Sequence, residues 1–389
     1  MISFEDKYKI KIIDADNIKM MCDEELKLRI VTHDGMYHCD EIAALVILQW
    51  CPFIRNNETF LIRTRDENII KKPGGIVFDI GNMYRFDPSK IQEFGKTEFT
   101  QYLDHHQSEF DEKWTNLLNG KKYHSNSMAA FGLVLKHYGH IAIEELIKNW
   151  NKQKYTNFDL EKIDELVEKL YSNGFGKKID SIDNGQYMEH VFLKNKKGGF
   201  DKKERVHDRT SIFSKIRRFH PDWNDKSKDW NSAFIKAFEF LKNEIEEEIF
   251  YLIKEIESVP EQKKLIAKSY YERFDLHTSG KILYLPVFFK YLNILKKIES
   301  LNSETDSINF VIFINDNNLY MISTVPKNNS KGNICDFYKD ISVGELKSEH
   351  KKMIKRDDIK FVHKCGHIAS AYSLEGAIKL CELSLANKN

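Results

Sequence analysis

The sequence has few cysteines, and none of them follows the spacing of a zinc ribbon or a disulfide-rich domain. The six cysteines stand at positions 22, 39, 51, 335, 365 and 381, and no C-x-x-C pair occurs among them. This pattern argues against a structural zinc site and against a disulfide framework. It favours a protein of a reducing compartment.

An excess of one charge and a long apolar run are also missing. The 60 basic residues nearly balance the 59 acidic ones, so the net charge is +1. There is no overall basic signature of a nucleic-acid binder, although a local basic patch remains open. No stretch approaches the roughly 18 apolar residues of a membrane helix, and the N-terminal acids argue against a secretory or transit signal. We therefore expect an intracellular protein with no membrane partner.

The first half of the chain alternates segments typical of strands and helices. Strands are predicted within 28–33, 59–65, 74–81 and 99–106, and helices at 39–50 and 125–139. For the second helix, Ser125 or Ser127 is the predicted N-cap and Gly139 the predicted C-cap. Such alternation predicts an α/β fold with a mostly parallel sheet flanked by helices. At 389 residues, the chain is long enough for two domains.

A long amphipathic helix separates this half from the rest. Between 231 and 274, apolar residues recur at spacings of three and four, which predicts one apolar helix face. Pro260 predicts a kink or a break in it. Further strands are predicted at 281–286, 308–316, 319–327 and 359–364, with a hairpin turn at 315–318 and a C-terminal helix at 373–388. We expect a domain at 1–230, a helical connector at 231–274 and a smaller α/β domain at 275–389.

Histidines and carboxylates cluster where the predicted strands end. Ligands collect beyond the carboxyl ends of strands in α/β sheets, so clusters far apart in sequence can converge there. Histidine with carboxylate and without cysteine suits manganese or magnesium. A lone histidine beside an acid is more often a satisfied pair, but several clusters at strand ends favour a metal site. The residues concerned are His33, His38, Asp40, Asp79, Asp104, His105, His106 and Asp183.

The order of these motifs resembles that of a known superfamily. The chain is similar to the DHH phosphoesterases and, more closely, to the melanocyte-proliferating-gene exonuclease family, which is also catalogued as metal-dependent protein hydrolase. The resemblance covers most of the chain. It rests on Asp104-His105-His106-Gln107, His38-Cys39-Asp40-Glu41, Phe78-Asp79-Ile80-Gly81, Asp180-Ser181-Ile182-Asp183-Asn184-Gly185 and Pro221-Asp222-Trp223-Asn224.

The resemblance implies a catalytic DHH domain first, a substrate-binding domain last, and an active site in the cleft between them. It implies two divalent ions, Mn²⁺ before Mg²⁺ or Co²⁺, with Asp79 as the bridging ligand. His106 would face the substrate and Asp104 would orient a histidine. The first ion would be held by His33, His38 and Asp79, and the second by Asp40, Asp79, His105 and Asp183.

Several further residues are expected to contact the substrate. Arg63, Arg65, Lys327 and His363 are the polar candidates, and for the two arginines a surface role is an equal alternative. The family's Gly-Gly-His stretch is replaced here by Ala369-Ser370-Ala371, and a Ser-Ser pair by Ala129-Ala130. The segment 215–224, KIRRFHPDWN, is a basic patch with aromatics that can follow a nucleic-acid backbone. A helix end packed by Phe219 and Trp223 is the preferred interpretation of it.

The leading hypothesis is a metal-dependent phosphodiesterase that acts as a 3′–5′ exoribonuclease through a water activated by two metals. RNA or a short oligonucleotide is the expected partner, and a homodimer is an open option. The resemblance implies a nuclear or mitochondrial location, with the cytoplasm as an alternative. A phosphoesterase of small nucleotides and a metal-binding interaction protein with a degenerate substrate grip are the competing hypotheses.

Overall fold

The computed structural model describes two compact units. It covers residues 3–13, 18, 28–118, 120, 127–185, 190–194, 200–205, 208–325, 358–362 and 367–386. Lys327 and His363 lie outside these residues. The first unit comprises Met1–Phe192 and Lys203–Ile256, and the second comprises Leu193–Lys202 and Glu257–Asn389.

The first unit is built on a six-stranded sheet with the order β1-β3-β2-β4-β6-β5. Its first five strands in this order run parallel, and β5 pairs antiparallel with β6 at the edge. The expectation of a mostly parallel sheet with flanking helices is confirmed. The strands are β1 (Ile10–Ile13), β2 (Arg29–Thr32), β3 (Thr59–Arg63), β4 (Ile76–Phe78), β5 (Tyr84–Arg85) and β6 (Gln101–Leu103).

Helices cover this sheet and supply most of the core. The central one, α2, has every residue from Cys39 to Trp50 buried. It ends before Pro52, since the residue that precedes a proline disfavours helical geometry. The helices are α1 (Phe4–Tyr8), α2 (Cys39–Trp50), α3 (Pro52–Arg55), α4 (Glu67–Ile70), α5 (Ala130–Lys152), α6 (Ile163–Ser172), α7 (Phe175–Asp183), α8 (Ile212–Arg217) and α9 (Trp230–Tyr271). A separate pair of strands joins β7 (His190–Lys194) to β8 (Phe200–Arg205).

Helix α5 differs from its predicted bounds at both ends. The prediction of Gly139 as its C-cap is wrong, because the helix continues to Lys152 and its apolar face stays buried beyond the glycine. A Cβ at Gly139 would lie 2.8 Å from Leu135 Cδ1, so the glycine allows close packing within the helix. Ser127 is not the cap either: Ala129 holds that position without a side-chain hydrogen bond. Ser125 lies outside the described residues.

Helix α9 is a single element of 42 residues. The predicted apolar face is confirmed, since residues such as Phe234, Phe238 and Ile256 are buried. The alternative of a break at Pro260 is wrong, because the helix continues through the proline to Tyr271. Apolar residues of α9 are buried on both sides of Pro260, Ile256 before it and Ile266 after it. This burial outweighs the hydrogen bond that a proline removes.

The second unit contains a five-stranded sheet with the order β12-β13-β11-β10-β9. Alternate residues of β10 enter two separate apolar clusters, Phe310 and Ile312 in one, Val311 and Phe313 in the other, so both sheet faces are covered. The predicted hairpin at 315–318 is confirmed by the antiparallel pairing of β10 with β11. The elements are α10 (Arg273–Leu276), β9 (Ile282–Leu285), α11 (Leu292–Leu301), β10 (Phe310–Ile314), β11 (Tyr320–Thr324), β12 (Ile359–Val362), β13 (Ile368–Ala371) and α12 (Leu374–Ala386).

Among the described residues, no helix has the length and apolar character needed to span a membrane.

Candidate metal centre

Three neighbouring parallel strands deliver the first group of polar side chains. His33 follows β2, Asp79 follows β4, and Asp104 begins the polar segment after β6. The strands lie side by side in the order β2-β4-β6, so their carboxyl ends meet at one edge of the sheet. This is the edge at which α/β proteins place their ligands.

The N-terminus of α2 brings a second group to the same place. His38 is the N-cap of this helix, and its backbone N–H donates to Glu41 Oε2 at 3.0 Å. Asp40 and Glu41 lie in the first turn and both are completely buried. Two carboxylates at this position also face the positive end of the helix dipole.

Asp183 belongs to a helix, so the expectation that every cluster follows a strand is wrong for this residue. It is the last residue of α7, and Asn184 caps that helix. The Asn184 Nδ2 group donates to the carbonyls of Ser127 and Asp180 at 2.8 and 3.0 Å. These bonds fix the amide so that its Oδ1 faces His105 Nδ1 at 3.3 Å.

The histidines and carboxylates from these elements are in direct contact. His33 Nε2 lies 2.6 Å from Glu41 Oε2 and 3.3 Å from Asp79 Oδ2. His105 Nε2 lies 3.2 Å from Asp79 Oδ1 and 3.1 Å from Asp183 Oδ2. His38 Nδ1 lies 3.3 Å from Asp183 Oδ1. All six residues predicted as ligands therefore come together, although Asp40 contributes through proximity rather than through a hydrogen bond.

Asp40 gives the strongest indication that this cluster fits a cation. Both of its carboxylate oxygens are buried and have no hydrogen-bond partner among the described residues, and the same is true of Glu41 Oε1. Burial, and then the charges of Asp79, Asp183 and Glu41, raise the pKa of Asp40 well above its usual value. Buried carboxylate oxygens without donors are costly unless a positive ion neutralises them.

The orientation of two histidines fits the same conclusion. Burial acts against protonation of His33, yet the hydrogen bonds that its ring donates to Asp79 and Glu41 raise its pKa to about 10. Burial likewise acts against protonation of His105, and Asp183 and Asp79 raise its pKa to about 10. Each ring has Nε2 among carboxylates, while Nδ1 faces an oxygen outside the cluster, Asp34 O at 3.0 Å for His33. Metal-binding histidines are commonly held in this way.

The donor atoms fall into three groups in which all atoms lie within 4.8 Å of one another. Nitrogen and oxygen donors without sulfur suit Mn²⁺, Mg²⁺ and similar ions. Glu41 belongs to one group and is absent from the set predicted from the sequence, although its spacing from His38 is that of a capping box. The groups are His33, His38 and Glu41; Asp40, Asp79, His105 and Asp183; and Asp79, Asp104, His105 and His106.

The backbone that carries Asp79 is unusual. Its φ is 56°, in the left-handed region, and Asn82 shortly after it has a φ of 53°. A non-glycine residue rarely adopts this conformation, and strain of this kind concentrates at functional sites. The turn also brings the Asn82 N–H to Asp104 Oδ2, at 2.5 Å. The turn that follows Asp79 is thus hydrogen-bonded to Asp104.

Asp104 holds the most exposed histidine of the site. Its Oδ1 lies 2.6 Å from His106 Nδ1 and also accepts the backbone N–H of His105 at 2.8 Å. The hydrogen bond to Asp104 raises the pKa of His106, whose side chain is 54% exposed. His106 Nε2 is therefore the ring atom available to a substrate.

The two arginines predicted as substrate contacts have different environments in the structure. Arg63 is buried and its guanidinium donates to Gly35 O at 2.8 Å and to Asn231 Oδ1 at 3.2 Å, which is a structural arrangement. Arg65 is 65% exposed and lies 3.2 Å from Asp34 Oδ1 and 3.2 Å from His33 Nδ1. Of the two arginines, Arg65 alone presents an accessible charge beside the cluster.

The sequence is similar to a family of named exonucleases. The MYG1 exonuclease family model, described as an uncharacterised protein family (UPF0160), matches residues 29–385. A Rattus norvegicus protein named MYG1 exonuclease is 27% identical over 369 residues, covering 92% of this chain and 85% of the relative. The Homo sapiens MYG1 exonuclease is 26% identical, covering 93% and 86%.

A MYG1 protein of Saccharomyces cerevisiae is 26% identical over 372 residues, covering 95% of this chain and 98% of the relative. No solved structure matches the chain. The family model extends over nearly the whole sequence and includes every residue of the candidate metal centre. The chain therefore belongs to the MYG1 exonuclease family (UPF0160).

Proposed function

We propose that this protein is a divalent-metal-dependent phosphodiesterase of the DHH type that removes nucleotides from the 3′ end of RNA. The observation that carries the proposal is the Asp40 carboxylate, which has no hydrogen-bond partner in the described part of the chain and lies within a buried set of carboxylates and histidines. The exonuclease names of the relatives supply the reaction class. Mn²⁺ is the proposed ion, with Mg²⁺ and Co²⁺ as alternatives.

The donor atoms form two sets that would each hold one ion, and Asp79 would contribute to both sets. Asp79 Oδ2 faces His33, whereas Asp79 Oδ1 faces His105, so its two oxygens point to different histidines. His33, His38 and Asp79 would hold one ion, with Glu41 beside them. The ligands proposed for the other ion are Asp40, Asp79, His105 and Asp183. When bound, two such ions supply a water activated for attack and neutralise charge on the phosphate oxygens.

The protein side chains would orient the substrate and donate a proton to it. Asp104 Oδ1 accepts a hydrogen bond from His106 Nδ1 and raises the pKa of the ring, which favours the protonated form in which Nε2–H can donate. Such a donor can bind a phosphate oxygen or protonate the leaving oxygen. Arg65, which lies beside His33, would contact a phosphate of the substrate.

The decisive experiment follows short RNA labelled at its 5′ end or at its 3′ end, with chelated protein and with added Mn²⁺. Progressive shortening of 5′-labelled RNA, with immediate loss of the 3′ label as a mononucleotide, is the expected result. Asp79→Ala should abolish it. His140→Ala is the matched control, because His140 pairs with Asp164 at 2.6 Å on the surface, away from the metal centre. A wild-type protein that leaves RNA intact with every divalent ion, yet binds metal, would indicate an interaction protein instead.

One structural observation favours small nucleotides as an alternative substrate. Ala369, Ser370 and Ala371 form part of β13, with both alanines completely buried in the sheet. Buried alanines in a strand cannot bind the substrate as a flexible stretch of glycines and a histidine would. Turnover of a dinucleotide that exceeds turnover of a ten-nucleotide RNA would favour this alternative.

A further inference from the structure

Trp223 is the most exposed large apolar side chain in the part of the chain that the structure describes. It is 88% exposed, in the segment 218–229 between α8 and α9 of the first unit. The sequence predicts that Trp223 packs the end of α8 together with Phe219. Only Phe219 does so, with its ring centroid 5.7 Å from that of Phe240. Trp223 therefore contributes little to the fold of this segment.

The segment is attached beside the metal centre. His220 Nε2 lies 2.9 Å from the carbonyl oxygen of Tyr37, and the two rings meet edge to face at 4.5 Å. Tyr37 is completely buried and directly precedes His38. Three residues of chain span at most roughly 11 Å, so Trp223 stays within that distance of His220. The exposed indole of Trp223 is thus held close to the start of α2, which carries the candidate ligands His38 and Asp40.

Exposed basic side chains flank this indole. Three exposed acidic residues are also present: Asp222 directly precedes Trp223, and the carboxylates of Asp225 and Asp229 accept hydrogen bonds from Ser227 and Ser232 within local turns. A flat aromatic face beside exposed cations is the combination that binds single-stranded nucleic acid, because bases stack and phosphates pair with the charges. The exposed basic residues are Arg217, Arg218, Lys226 and Lys228.

We propose that Trp223 stacks on a base of a single-stranded nucleic-acid substrate whose terminal phosphodiester lies in the metal centre, while Arg217 contacts its backbone. The inference deepens the proposed function and rests on it. It assigns the indole to a nucleotide a short distance from the cleaved end, where stacking holds the strand in place. A protein partner on the same surface is the competing explanation, and it predicts no effect on RNA binding.

The test measures binding of a fluorescein-labelled ten-nucleotide RNA to the full chain in EDTA, where no cleavage occurs. Trp223→Ala should weaken binding about 5- to 150-fold, which is the range for loss of one base stack. Trp223→Phe should restore most of the affinity because phenylalanine retains a stacking face. Arg217→Ala should reduce the slope of log affinity against log salt by about 0.7 for one lost phosphate contact.

Tyr155→Ala is the matched control. Tyr155 is an aromatic residue that is 66% exposed in the same unit. It follows the C-terminus of α5, whose 23 residues span about 35 Å from the end near Asp180. This variant should bind RNA as the wild type does.

The outcomes separate the inference from the proposed function. Weaker binding by Trp223→Ala, a raised KM for the ten-nucleotide RNA and quenching of tryptophan fluorescence in the wild type alone support it. RNA binding and KM equal to those of the wild type overturn it, even if the protein is an exonuclease. A wild type that neither binds nor cleaves RNA removes the proposed function and the inference together.

Discussion

Replacing Asp40 by asparagine should stabilise the metal-free protein, which is the opposite of what substitution of a buried structural residue usually does. The Asp40 carboxylate is completely buried, and neither oxygen has a hydrogen-bond partner among the described residues. Asp79, Asp183 and Glu41 surround it and raise its pKa. Asparagine has the same shape, carries no charge and can donate from Nδ2 to a neighbouring carboxylate.

The size of the effect follows from the cost of the unpaired group. A buried polar group without a partner costs about 1–3 kcal/mol, and more when it is charged. Removing that cost should raise the free energy of unfolding by about 1–3 kcal/mol, or about 2–12 °C in Tm for a unit of this size. Metal acts in the other direction: an ion at a hundred times its Kd stabilises the wild type by about 2.7 kcal/mol.

The assay is thermal unfolding of wild type and Asp40→Asn, first in EDTA and then with a Mn²⁺ titration. The variant should unfold at a higher temperature than the wild type in EDTA and should lose most of the shift that Mn²⁺ causes. Glu168→Gln is the matched control, since Glu168 is buried but its Oε2 accepts from Trp114 Nε1 at 3.0 Å and from Leu117 N at 3.1 Å. This control should destabilise the protein and keep the Mn²⁺ shift. An Asp40→Asn variant that unfolds earlier in EDTA and keeps a wild-type response to Mn²⁺ would refute the reasoning.

Three further predictions concern the same site. Glu41→Gln and Asn184→Ala should each weaken Mn²⁺ binding by about 10- to 100-fold in calorimetry, the usual cost of losing a residue that orients ligands; unchanged affinity in both would contradict the assigned contacts. His106→Ala should lower kcat by about 10²- to 10⁴-fold with little change in Mn²⁺ affinity, whereas His140→Ala, whose side chain is equally exposed at 54%, should leave kcat unchanged. The raised pKa values of His33 and His105, about 10 against 6.5, stabilise the metal-free fold fully below pH 6.5 and progressively less as the pH rises to 10; Tm in EDTA should therefore fall over that range, and a rise would contradict the ion pairs.

The sequence predicts the four central strands of the first sheet, because they are short apolar runs that end in polar residues, and it misses the edge strands β1 and β5. The strands at 29–32, 76–78 and 101–103 all lie within the predicted segments. The convergence of His33, Asp79 and His105 follows from the rule that parallel strands present their carboxyl ends at one edge. Residues that follow strands are therefore the ones that sequence reasoning places correctly.

Residues that arrive from helices are harder to predict. Asp183 ends α7 rather than a strand, and its motif gives no sign of that difference. Glu41 and Asn184 were missed as members of the site, because their roles depend on how α2 and α7 are turned toward the sheet. The length of α5 was missed because glycine is the usual signal for a helix end, and here Gly139 instead allows close packing.

The left-handed backbone at Asp79 restricts which residues evolution can use there. Aspartate and asparagine tolerate this conformation better than other residues with side chains, and glycine tolerates it best. Glutamate would carry its oxygens one methylene farther and fit the backbone less well, so it is a poor substitute. A lineage released from selection can move to asparagine or glycine at this position without disturbing the turn. If Asp79 has the proposed metal-binding role, such a descendant would keep its fold and lose the metal site, so this position would distinguish active members from inactive ones.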